Sequence, residues 1–115
     1  MELQNLQDQH QLENIQTLSF SEEIDSVLIF KHSTRCSISA MAKNRLERHW
    51  NFAPGRLPFF FLDLLRHRDI SDRIASMYGV QHESPQVLLI RNGKCVFHAS
   101  HNAISADAIR EHLPK

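Results

Sequence analysis

Three short apolar runs, VLIF (27–30), LPFFFLDLL (57–65) and QVLLI (86–90), recur along this chain with helix-like segments between them. Each run is strand-sized and far too short to span a membrane. Between the first two, Ile38, Met41, Ala42, Leu46 and Trp50 recur at helical spacing, while Lys43, Arg45, Glu47 and Arg48 face outward. Between the second and third, Ile70, Ile74, Met77 and Tyr78 fall near one face, and the pattern ends at Gly79, a residue suited to a left-handed C′ position. Strands with no polar face, alternating with amphipathic helices, specify an α/β fold with a sheet covered on both sides.

The flanks extend this order. Asp8 followed by Gln11 resembles a capping box, and Leu12, Ile15 and Leu18 make one stripe, so a helix is expected over 9–18 after a weak first strand around Leu3 and Leu6. Asn92-Gly93 is a strong hairpin signal joining QVLLI to CVFHA (95–99), and Ser105 is placed to cap a closing helix over SADAIREHL (105–113). The order reads β-α-β-α-β-α-β-β-α. The middle βαβ units call for parallel strands with right-handed crossovers, and the hairpin adds an antiparallel pair at the end of a mixed sheet.

A length of 115 residues fits a single domain over 1–115. Thirteen basic residues balance thirteen acidic ones, which gives no electrostatic reason to expect nucleic-acid or anionic-lipid partners. The start MELQNLQDQHQ has neither the basic nor the apolar region of a secretory signal, so the cytoplasm is the expected compartment. Two cysteines do not make a disulfide framework.

Cys36 stands where the strand VLIF and the polar turn KHSTR (31–35) give way to a helix. A helix N-terminus presents unpaired N–H groups and partial positive charge, and both favour a thiolate, the nucleophilic form of cysteine. Arg35 and Lys31 are expected to add positive charge, and Ser37 and Ser39 to donate hydrogen bonds. Ser39 occupies the second position of a C-x-x-C spacing. A hydroxyl forms no disulfide, so Cys36 would work as a monothiol whose mixed disulfide an external thiol resolves. C-x-x-S also arises by chance, and a lone cysteine is often an inert core residue. Ser84-Pro85, before the strand QVLLI, is either an ordinary loop proline or a cis proline facing the cysteine.

FKHSTRCSIS, HESPQVLLIRNGK and SHNAI together resemble the monothiol bacilliredoxins, YtxJ-like proteins of bacillithiol metabolism, over about Val27 to Ile104. That family usually reads T-C-P-I-S; here Arg35 replaces the threonine and Ser37 the proline. The resemblance implies a thioredoxin-like fold and disulfide exchange with bacillithiolated proteins. It makes Cys36 the nucleophile and Ser84-Pro85 the loop that aligns substrate backbone. No bound cofactor is implied; bacillithiol would be a co-substrate. For His32 and His82 the resemblance implies a place at the site rim, near the thiolate or the thiol ligand.

Cys95, in the returning strand beside Val96 and Phe97, reads either as a packed thiol or as a resolving partner. None of the eight histidines has zinc-ligand spacing. His10, His49, His67, His98 and His112 read as solvated loop residues, while His82 and His101 lie in loops expected near the cysteine's end of the sheet. Arg66, His67 and Arg68 form a basic cluster that reads as a solvated strand end. Two other functions stay open: an iron–sulfur carrier, against which CSIS lacks the glycine of C-G-F-S, and a non-catalytic binding or stress module.

Overall fold

A computed structural model describes residues 3–33 and 35–114. Its strands are β1 (Leu3–Asn5), β2 (Val27–His32), β3 (Phe59–Asp63), β4 (Gln86–Arg91) and β5 (Lys94–Ser100), in sheet order β1-β3-β2-β4-β5. The helices are α1 (His10–Leu18), α2 (Ser37–Arg48), α3 (Arg68–Tyr78) and α4 (Ala106–Glu111), with a 3₁₀ turn over His101–Ala103. The central strands are buried on both faces, which is why they read as continuous apolar runs. Leu12 and Ile15 of α1 and Ile70 and Ile74 of α3 pack on Val27, Ile29, Leu62, Leu88 and Ile90. Ala42 and Leu46 of α2 and Ala106 and Ile109 of α4 pack on Leu28, Phe30, Phe59, Val87 and Leu89 across the sheet.

Local signals set most element ends. The Asp8 carboxylate accepts from His10 N–H at 2.9 Å and Gln11 Oε1 accepts from Asp8 N–H at 2.9 Å, so only the glutamine half of the expected capping box forms, and α1 starts one residue later, with Gln9 as its N-cap. Gly79 ends α3 at φ 65°, and Ser105 Oγ accepts from Ala108 N–H at 3.0 Å at the start of α4. Asn92 and Gly93 both have positive φ, the requirement of a tight type I′ hairpin.

Three expectations are corrected. β4 pairs antiparallel with β2, so only the first two βαβ units are parallel. Helix α3 rises roughly 16 Å, and an extended segment over 80–85 retraces up to about 20 Å. The chain therefore re-enters the sheet at the end it left. Second, β2 runs through Lys31 and His32, which read as a turn; Thr34 of that turn lies outside the described residues. Third, Ile38 and Met41 are 50% and 64% exposed. The buried line of α2 passes through Ser39, Ala42 and Leu46, and Met41 stands about 100° around the helix from Ala42.

Candidate active site at the start of α2

Cys36 is the N-cap residue of α2, with extended backbone at φ −107° and ψ 119°. Its N–H donates to the Ser33 carbonyl at 3.1 Å, and its carbonyl accepts the first helical bond from Ala40 N–H at 3.2 Å. A side chain at this position meets the orphan N–H groups of the next turn. The backbone N–H of Ser39, then that of Ile38, hold the thiol pKa below its ordinary value, and the Ser39 hydroxyl adds a smaller contribution. Ser39 is buried, and its Oγ also accepts from Ser33 N–H at 3.4 Å, tying the end of the strand segment to the helix. Arg35 and Ser37 flank the sulfur and are exposed.

Lys31 does not supply the expected charge beside Cys36. Strand alternation sends it into the α1/α3 side, opposite the face that carries α2, where it is fully buried. Burial lowers its pKa to about 8, an effect partly opposed by Asp72. The neighbouring strand residue, His32, goes the other way. It lies at 7% exposure beneath α2, 5.0 Å from the Phe61 ring, rather than out on a rim. Burial and then Lys43 lower its pKa, and its Nδ1 has no hydrogen-bond partner among the described residues.

The register of β2 with β4 builds the facing side. Lys31 pairs with Gln86, so Pro85 comes opposite His32 at the end of the sheet from which the Cys36 segment departs. The Ser84-Pro85 bond is cis, and Ser84 Oγ is buried with no partner among the described residues. His101 N–H donates to the Pro85 carbonyl at 3.1 Å, and Arg45 of α2 donates to the carbonyls of His101 and Ile104 at 3.1 and 3.0 Å. His82, in the loop before Pro85, is exposed, and burial of its ring followed by the charge of Lys31 lowers its pKa. Arg66, His67 and Arg68 follow β3 at this same end, since Asp63 pairs with His32.

Sequence reasoning missed Gln86 and Ser71, both buried polar residues that hold this end together. The position of Gln86 directly after the proline at the head of an apolar strand was the available signal for one of them. Nothing local marks Ser71.

Cys95, like Leu18, Met77 and Tyr78, packs half-buried against the core on the α1/α3 side, its Sγ donating to the Phe97 carbonyl at 3.3 Å. Burial pushes its pKa up. A bulge at Val96 turns Cys95 and Phe97 to opposite faces, although plain alternation would align them. The histidines that read as loop residues sit on elements or their caps: His10 in α1, His98 in β5, and His49, His67 and His112 capping α2, α3 and α4. His112 also stacks on Phe97 with ring centroids 4.1 Å apart. Among the described residues no group of three or more His, Cys, Asp or Glu side chains is arranged to hold a metal, and no helix is long and apolar enough to cross a membrane.

A thioredoxin-fold protein proposed to be an oxidoreductase is 30% identical to this chain, with a TM-score of 0.76 over 96% of this chain and 92% of that one. Thioredoxin from Malassezia sympodialis matches at 17% identity and a TM-score of 0.74, over 96% of this chain and 90% of its own. A thioredoxin variant from Halobacterium salinarum matches at 21% and 0.63, over 96% and 86%. These similarities establish the thioredoxin fold. The model of the family described as monothiol bacilliredoxin BrxC matches residues 4–109, and with that extent of agreement the chain belongs to the monothiol bacilliredoxin family.

Proposed function

We propose that the protein is a monothiol thiol–disulfide oxidoreductase that removes bacillithiol, or a similar small thiol, from mixed disulfides on proteins. One observation carries the reading: Cys36 caps a helix whose N–H groups favour the thiolate, and the other cysteine lies far from it. The Cys36 thiolate attacks the small-thiol sulfur of the mixed disulfide. That S–S bond breaks, the substrate protein leaves as a thiolate, and Cys36 holds the small thiol. A second small thiolate then attacks the same sulfur, forming a low-molecular-weight disulfide and returning Cys36 to the thiolate. The cycle conserves electrons, since one disulfide is exchanged for another at each step.

Ile38 and Met41 lie exposed on the first turns of α2, which Cys36 caps, and offer apolar surface to a protein substrate. Ser84 and Pro85 would meet its backbone; the exposed Arg35, Ser37 and His82 are the remaining candidates for contact with either partner, while His32, buried beneath α2, is reached by neither. The test is intact mass after exposure to oxidised bacillithiol, with oxidised glutathione in parallel. A single adduct that disappears in Cys36→Ser, and that free bacillithiol removes, is the expected result. An adduct on Cys95, or none, would overturn the reading.

A further inference from the structure

Two fully buried polar side chains that pair across β2 and β4, Lys31 and Gln86, reach the same loop. Gln86 Nε2 donates to the Gln81 carbonyl at 3.0 Å, and Gln86 Oε1 accepts from Glu83 N–H at 3.4 Å. Lys31 Nζ lies 3.4 Å from His82 Nδ1 and 3.5 Å from the Ser71 carbonyl, while Ser71 Oγ is 3.1 Å from the same Nδ1. An ammonium has three donors and no acceptor. Beside it Nδ1 presents its lone pair, because a proton there would set N–H against N–H. The neutral ring then carries its proton on Nε2, on its far side, where no partner occurs among the described residues.

We infer that Lys31 is a positioning residue: it sets His82 as the Nε2–H tautomer and, with Gln86, holds residues 81–85 so that this N–H is offered to an oxygen acceptor on the incoming disulfide. The role in exchange rests on the proposed function; the tautomer rests on the buried contact alone. The other charged groups facing the pair are Asp72 and Arg68 of α3 and Glu83 of the loop. The lysine is mainly an ammonium at pH 7, and a neutral amine above about pH 8 accepts as readily as it donates, so the lock then loosens.

The test is the ¹⁵N imidazole spectrum of His82 in the full chain, read beside the rate of exchange with a bacillithiolated peptide. At pH 7 the wild type is expected to show the Nε2–H signature, which gives way on titration to pH 9.5. Lys31→Met is expected to show a mixture in which Nδ1–H donates to Ser71 Oγ. The same variant should slow exchange several-fold, leave the pH profile of Cys36 alkylation unmoved, and cause no further slowing in a His82→Ala background. An unchanged His82 signature in Lys31→Met, or across the titration, would overturn the inference, as would equal slowing in both backgrounds. A wild type that exchanges no thiol removes the reaction role together with the proposed function, and the spectrum still decides whether Lys31 sets the tautomer.

Discussion

Cys36 and Cys95 lie at opposite ends of the sheet and on opposite faces of it. Cys95 pairs with Ile90, which pairs with Val27, whereas Cys36 follows the far end of β2, beyond the Lys31–Gln86 pair. Val27 to Lys31 alone spans roughly 13 Å of strand, and a disulfide bridges Cα atoms only about 4.4–6.8 Å apart. Mild oxidation should therefore yield no Cys36–Cys95 bond within one chain, and peptide mapping checks this. At pH 7 iodoacetamide should label Cys36 well before Cys95, because the helix amides favour one thiolate and burial disfavours the other.

Ser39→Ala should raise the Cys36 pKa and slow its alkylation at pH 7 by no more than a few-fold. The leading contributions come from the backbone N–H groups of Ser39 and Ile38, which the substitution keeps. The variant also leaves Ser33 N–H without its hydroxyl acceptor, at a cost of about 1 kcal/mol in urea denaturation. A rate that collapses instead would mean that the hydroxyl, not the amides, holds the thiolate.

Stability should depend on pH through Lys31. Its pKa is about 8 in the folded chain against 10.5 ordinarily, so between those values the unfolded chain binds more protons and stability rises with pH. Below pH 8 the cost of the buried ammonium is fully present. The total change is on the order of 3 kcal/mol. Lys31→Met removes it, so the stability of the wild type relative to the variant should climb between pH 7.5 and 10. Tyr78, pushed up to about 12 by burial, titrates in both proteins and cancels in the difference. Parallel urea curves at the two pH values supply the check.

Gly93→Ala should destabilise the hairpin by about 1–3 kcal/mol, read as a lower Tm. Gly93 has φ 76°, and a Cβ there would come within 2.6 Å of Gln16 Nε2 and 2.9 Å of the Phe20 ring. The neighbouring Asn92, also at positive φ, should tolerate glycine with little change.

Much of this structure was legible residue by residue. VLIF, LPFFFLDLL and QVLLI became the three central strands because a strand covered on both faces has no polar alternation to hide it. Asp8, Gly79, Asn92-Gly93 and Ser105 marked ends and turns because capping and positive φ act over a few residues of chain. Cys36 was legible for the same reason: a helix start is a local event, and its amides act on whatever side chain caps it.

The direction of β4, the bulge at Val96 and the fate of Lys31 depended instead on contacts between distant segments. A lysine after an apolar run looks like the end of a strand. Only the pairing of β2 with β3 and β4 carried the strand on through it and buried its side chain. The convergence of Lys31 with Ser71, His82 and Gln86 joins residues up to 55 positions apart along the sequence. Their spacing carries no period, because it is tertiary packing that sets which buried polar groups must find one another.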